Sequence, residues 1–365
     1  FHLGTNGEAL EQITHRNGLA VNSIYDLIID HENGVWLAQG GAIARVDLFG
    51  GRRIYDADFG LATTNALVPF QGHWVVGGDA GLSVLAADGT DASRLDTIDA
   101  PILEAFGLLA DGDGLLVASS EGVHRIVPDL DRMGVSEHEL LLADTYSYGL
   151  VRSRLRDAVY AELETGLGAL IRTDQGWRSL GRIEGVDHRA HTIAEDRLGR
   201  VWVGTVVGRY YRLAWQDNTL VVEAELGADE GVPDGYAWAF SLGERLVLGT
   251  SNGGYRPVGP EATRIEPDPD FGNETLGEPR GVYRLYQAGD RQLIGGIGPG
   301  GALWRGRLSD NGRFDWQRRW LTDLAPAVNW FIGECGDHLW IGRHPGLLRL
   351  DWPPVGSDVE PSRLQ

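Results

Sequence analysis

Val35-Trp36-Leu37-Ala38 returns in altered form seven more times along the chain. The echoes are Trp74-Val75-Val76-Gly77, Leu115-Leu116-Val117-Ala118, Ala158-Val159-Tyr160-Ala161, Val201-Trp202-Val203-Gly204, Leu246-Val247-Leu248-Gly249, Gln292-Leu293-Ile294-Gly295 and Leu339-Trp340-Ile341-Gly342. From Ala38 to Gly342 the intervals are 39, 41, 43, 43, 45, 46 and 47 residues, the period of a propeller blade of four short strands.

The flanks of each echo read as strands. Ile24-Tyr25-Asp26-Leu27-Ile28-Ile29 precedes Trp36, separated from it by Asp30-His31-Glu32-Asn33-Gly34, where Asn-Gly supplies the positive φ of a tight hairpin. A glycine pair, the strand Ala42-Ile43-Ala44-Arg45-Val46 and a fourth strand, Arg52-Arg53-Ile54-Tyr55, follow. The grammar recurs from Ala190 through the turn Asp196-Arg197-Leu198-Gly199 to Tyr210-Tyr211-Arg212-Leu213. One such sheet cannot bury both its faces, so the units must stack around an axis and share a core.

The sequence thus predicts an all-β protein: a single closed propeller over residues 1–351, with a proline-containing tail or linker at 352–365. Eight four-stranded blades are expected. Seven is the alternative, because the units at Leu115, Val159 and Leu293 lack the tryptophan. The segment at Ile13-Thr14-His15 runs through Asn17-Gly18-Leu19 as Arg53-Ile54-Tyr55 runs through Phe59-Gly60-Leu61. It therefore reads as an outer strand completing the last unit, which would cover otherwise open edges.

Composition narrows the function. Glycine makes up 52 of 365 residues, as a turn-rich sheet protein requires. All 32 basic residues are arginine, against 52 acidic ones, for a formal charge of −20. Such a surface repels phosphate backbones and anionic lipid, so nucleic acid is not an expected partner. No apolar run is long enough to span a bilayer, so no direct membrane insertion is expected of this chain. The single cysteine, Cys335, reads as a small buried hydrophobe. Absence of Met at Phe1 suggests processing or excision from a longer protein.

The stretch Gly18-Leu19-Ala20-Val21-Asn22-Ser23-Ile24-Tyr25, continuing through Asn33-Gly34-Val35-Trp36-Leu37-Ala38, resembles the repeat of the two-component regulator propeller family. Gly231-Val232-Pro233 with Gly249-Thr250, Val201-Trp202-Val203-Gly204-Thr205, and Leu339-Trp340-Ile341-Gly342 with Gly346-Leu347 match further parts of that repeat. The resemblance covers nearly the whole chain. It implies a periplasmic or extracellular ligand-binding sensor placed before a membrane span and a histidine kinase or diguanylate cyclase. Some members recognise oligosaccharides. Members commonly carry two propellers and a small β-sandwich, whereas this sequence accounts for one ring.

In a propeller, the start of each inner strand converges on the mouth of the central channel. That position gives Asn22, Tyr25, Asn65, Glu104, Tyr146, Tyr148, His188, Arg189, His191, Asp234, Tyr236, Trp238, Arg280, Tyr283, Asn329 and Trp330, to which neighbouring loops add Arg343 and His344. Aromatic rings for sugar faces, beside guanidinium groups and amides for hydroxyls and carboxylates, suit a carbohydrate or another polar small molecule. The expected partner is a small-molecule or oligosaccharide ligand, with a homodimer left open.

An enzyme is the alternative reading: a secreted lyase or hydrolase acting on a uronate-containing glycan, with His191, Tyr236 and Arg189 as base, acid and charge neutraliser. His-x-x-His across strand residues sends the two imidazoles of His188 and His191 to opposite faces, which favours binding over catalysis. No metal and no cofactor is expected. Asp268-Pro269-Asp270-Phe271-Gly272-Asn273-Glu274 lacks calcium-loop spacing, and Gly295 to Gly301 opens no helix.

Overall fold

All eight echoes form strands, and seven of them are the second strand of a four-stranded antiparallel sheet. The computed structural model describes residues 2–3, 9–11, 24–29, 34–39, 42–47, 52–55, 61, 63–86, 95–143, 145–259, 261–276, 281–287, 292–297, 302–317, 328–335, 338–344 and 346–351. The innermost strands are Thr64–Phe70, Ala105–Asp111, Ser147–Arg152, Ala190–Glu195, Trp238–Leu242, Val282–Gln287 and Val328–Cys335. In the first six sheets the chain then steps outward through three further strands in sequence order.

The seventh sheet is different, and it corrects the blade count. Val328–Cys335, His338–His344 and Leu347–Asp351 are completed by Arg52–Tyr55, paired in the register Leu347↔Tyr55, Leu348↔Ile54, Arg349↔Arg53 and Leu350↔Arg52. The propeller has seven blades, not eight. Repeat spacing counts units, but it does not say which sheet a fourth strand is bonded to. Here the first unit gives its fourth strand to the last blade. The closing strand is therefore Arg52–Tyr55, not the expected Ile13 to His15, which lie outside the described residues.

What the first unit retains is a three-stranded sheet of Ile24–Ile29, Gly34–Gln39 and Ala42–Asp47, which among the described residues pairs with no strand of the seven blades. Ile24, Tyr25, Leu27, Ile28 and Ile43 on it are between 44 % and 75 % exposed.

Closure is apolar as well as hydrogen-bonded. Trp340 of the last blade packs with Leu61, Val76 and Leu85 at the first blade and with Leu347, its ring 5.5 Å from that of Trp74. A bridge between Thr63 and Gly346 adds a backbone tie. Elsewhere each pair of neighbouring blades shares a core in the same way. Trp202, fully buried, sits with Ala194, Tyr210 and Leu226 of its own blade against Ala237, Leu246 and Leu248 of the next. Its indole N–H donates to Asp196 Oδ2 at 3.1 Å, so the one polar atom of the side chain is satisfied.

Two outcomes follow. Ile54→Pro removes a ladder donor in the closing strand and should cost about 1–3 kcal/mol, read as a lower melting temperature. Val46→Pro, in the sheet outside the ring, should leave that transition in place. Trp202→Ala should cost about 3–5 kcal/mol, measurable by denaturant unfolding.

Candidate functional site

Six of the seven inner strands carry one residue too many at their start. The register steps from Thr64 to Ala66, Ala105 to Gly107, Ser147 to Gly149, Ala190 to Thr192, Val282 to Arg284 and Asn329 to Phe331, each pair of residues facing two consecutive residues of the neighbouring strand. The extra residues are Asn65, Phe106, Tyr148, His191, Tyr283 and Trp330. A bulge of this kind breaks the ladder locally and re-aims its side chain. Asn65, Phe106, Tyr148 and His191 line the central channel. The outlying sheet has the same step, between Ile24 and Asp26, with Tyr25 as its extra residue.

The three-residue words that start at this position, bulged in every strand but that of Trp238, make the channel legible. They read Asn65-Ala66-Leu67, Phe106-Gly107-Leu108, Tyr148-Gly149-Leu150, His191-Thr192-Ile193, Trp238-Ala239-Phe240, Tyr283-Arg284-Leu285 and Trp330-Phe331-Ile332. Every third member lines the channel, giving an apolar ring of leucine, isoleucine and phenylalanine below the mouth. The middle member is usually small because adjacent inner strands almost touch: a methyl group on Gly107 would stand 3.0 Å from the Gly149 Cα. The enclosed space is about 940 Å³, within the usual size range of small-molecule sites.

Arg284 and Phe331 break the small-residue pattern on the inner layer, and Glu162 and Arg343 break it on the next. The residue after each echo in the ring is Gly78, Ser119, Glu162, Thr205, Thr250, Gly296 or Arg343. Glu162 pairs with Gly149, and a methyl on that glycine would lie 2.6 Å from Glu162 Oε2, so the glycine makes room for the carboxylate. Glu162 and Arg284 line the channel together with Arg189 and His191.

Burial pushes the Glu162 carboxyl up to about 7, against the pull of Arg284 and Arg189. Burial likewise drives the Arg284 guanidinium down, with Glu162 opposing. His191 is held near 4, first by burial and then by the two arginines, so its imidazole is neutral at pH 7. Among the described residues neither Glu162 nor Arg284 makes a hydrogen bond or ion pair, and His191 Nδ1 is buried without a partner.

Arg189 lies over the Tyr148 ring at 3.9 Å, its Nε 3.5 Å from Glu164 Oε2. The Tyr148 hydroxyl donates to the same oxygen at 2.5 Å. Burial and this bond push the phenol up to about 12, so it stays protonated. Phe106 is 5.5 Å from the Tyr148 ring, and Asn65 Nδ2 donates to Asp79 Oδ1 and to the Ala105 carbonyl, both at 3.4 Å.

The remaining expected residues divide. Tyr146 is exposed beside Tyr148, 6.1 Å between rings. His188 turns to the Tyr211 hydroxyl, 2.6 Å from Nδ1. Asp234 is exposed, its carbonyl accepting from Ser251 Oγ at 2.6 Å. Tyr236 is 52 % exposed and meets the His191 ring edge-on at 5.6 Å.

Trp238, expected to face the channel, is 3 % exposed and belongs to the core with Val247, Phe271 and Val282. It forms the wall behind His191, 4.9 Å away, and against Tyr283, 4.7 Å away. Tyr25 is 75 % exposed on the sheet outside the ring. Asn22 and Arg280 lie outside the described residues. For Asn329, Trp330, Arg343 and His344 only the strand backbone of the last blade is described. Glu162 and Arg284 escaped the sequence reading. Aligning the repeats at the bulge would have shown both as large charged residues in columns that are otherwise small except for Phe331 and Arg343.

No protein-family model matches the sequence, and no curated protein matches it. Solved structures do. The extracellular domain of BT3049 from B. thetaiotaomicron, assigned to a hybrid two component system, aligns over 96 % of this chain with a TM-score of 0.69 and 11 % identity. That of BT4673 from the same organism aligns over 96 % with a TM-score of 0.59 and 13 % identity.

The ring has the fold of these extracellular two-component propellers.

The chain spans about half the length of both, 47 % and 49 %. Streptogramin B lyase has a related ring, aligned over 82 % of this chain with a TM-score of 0.56 and 12 % identity. Among the described residues no helix is long and apolar enough to cross a membrane.

The buried imidazole gives a pH test. Unfolded, His191 takes up a proton near 6.5; folded, only near 4. Acidification through that window therefore favours unfolding. His191→Gln should lose less of its melting temperature between pH 6.5 and 4 than the wild type, measured by calorimetry. Parallel curves would contradict a neutral buried His191.

Proposed function

We propose that this chain is the ligand-binding propeller of an extracytoplasmic sensor, taking a carbohydrate or other polar small molecule in the mouth of its central channel. The observation that carries the reading is the set of charged and polar groups left without partners inside the ring. Arg284 and Glu162 stand half-buried in the channel wall with no hydrogen bond or ion pair among the described residues, so both remain open to something that enters. The bulged aromatic collar of Phe106, Tyr148 and His191 supplies flat faces at the entrance. Likeness in fold to extracellular domains of two-component systems supports the sensor role and its place outside the cytoplasm.

Thermal-shift screening with neutral and acidic mono- and oligosaccharides tests the reading. A stabilising sugar whose effect Arg284→Ala reduces is expected, with no growth of unsaturated-uronate absorbance on long incubation. A product whose formation is abolished by His191→Ala or Tyr236→Phe would instead establish a lyase. No shift with any sugar would overturn the carbohydrate reading.

A further inference from the structure

Arg284 and Glu162 say more about the ligand than that it is polar. Arg189, the other cation of the channel, already faces Glu164 at 3.5 Å and covers the Tyr148 ring. Asp79 is held by the Asn65 amide. Neither channel arginine donates a side-chain hydrogen bond among the described residues, and Arg189 Nε is itself buried without one; but Arg189 has Glu164 and the Tyr148 ring beside it, whereas Arg284 has no ion-pair acceptor, and a guanidinium fork is matched by a carboxylate.

Resting on the sensor reading, we propose that the channel binds a hydroxylated carboxylic acid of the uronate class, its carboxylate on Arg284 and a ring hydroxyl on Glu162.

Three features select this class over a simple carboxylate. Glu162 offers oxygens for a hydroxyl. His191 Nδ1 is a second buried polar atom in want of a partner. Beneath them the apolar ring, Leu150, Ile193 and Leu285 among its members, presents a surface for the C–H face of a pyranose. An acid without hydroxyls would satisfy Arg284 and leave the other two unmet; a neutral sugar would do the reverse.

A consequence follows from the groups facing Glu162. Arg284 and Arg189 favour its ionised form, His191 is neutral, and Glu164 with Asp79 adds negative charge at the mouth. Glu162 sits near 7 in the free protein. A carboxylate arriving on Arg284 withdraws that cation's support and adds a like charge, so Glu162 takes up a proton as the acid binds. Affinity is then highest below pH 7 and falls above it, by up to tenfold per pH unit.

Calorimetric titration of the whole chain with D-galacturonate and D-glucuronate, beside D-galactose and D-glucose, at pH 6 and pH 8, tests this. Expected are binding of an acid with the matching neutral sugar about 10-fold weaker or worse, tighter binding at pH 6 with proton uptake seen in buffers of different ionisation enthalpy, and a loss of about 10- to 100-fold in Arg284→Gln, a charged hydrogen bond removed. Glu162→Gln, which keeps the hydrogen bond and loses the charge, should bind equally at both pH values. Circular dichroism melts check that both variants fold. Neutral sugars binding as well as acids would overturn this inference and leave the sensor reading standing. Acid binding that Arg284→Gln does not weaken would overturn the inference alone. No sugar, acidic or neutral, binding at either pH would overturn both.

Discussion

Seven sheets sharing one axis leave very little room at the centre, and most of what this protein can do follows from that crowding. Where inner strands of neighbouring blades meet, as at Gly107 against Gly149, side chains larger than a hydrogen do not fit without displacement. The sequence answers with small residues in the middle of five of the seven inner-strand words and, in six of the seven strands, with a bulge just before the middle residue. In columns that are mostly small, a charged residue whose side chain enters the cavity is conspicuous. Arg284 and Glu162 are both exceptions, opposite in charge, and they share one cavity.

Charged groups elsewhere in the ring show how unusual that is. Asp111 is held below the ordinary carboxylate value despite its burial, by hydrogen bonds from Trp177 and Arg172, each at 2.8 Å. Asp268 receives Arg245 at 2.6 Å. Buried Glu195 accepts from Ser153 Oγ and the Arg154 N–H, both at 2.7 Å, and from the Tyr160 hydroxyl at 3.1 Å, tying blades together. These are structural: every charge has its answer inside the protein. In the channel, Arg284 and Glu162 have no hydrogen bond or ion pair of this kind among the described residues, and burial shifts Glu162 and His191 toward neutrality instead. The guanidinium stands out in a molecule of net charge −20, and the proposed anionic guest would meet it there.

Much of this architecture was legible in the sequence. The echoes around Trp36, Trp202 and Trp340 gave the strand type, the period and the second-strand positions, because inter-blade burial demands the same apolar pattern in each unit. Ring closure was not legible, since Arg52–Tyr55 looks alike whether it completes the first unit or the last; only the ladder to Leu347–Asp351 decides. In the site, Asn65, Tyr148, Arg189 and His191 were recognisable because the start of an inner strand must face the mouth. Trp238 was misjudged for a physical reason: its strand lacks the bulge that re-aims its counterparts, so the indole turns into the core. Glu162 lay on a second strand, away from the mouth positions, where it stands out only by comparison with sister blades, five of which carry glycine, serine or threonine there.

The central claim is that Arg284 and Glu162 are held apart for a guest. A crystal structure of the chain, free and with D-galacturonate, tests it most directly. The account predicts no direct ion pair between the two side chains in the free ring, and in the complex a ligand carboxylate within about 2.7–3.2 Å of the Arg284 guanidinium. Arg284 and Glu162 closed on each other in the free crystal, with the sugar absent or bound away from the channel, would contradict it.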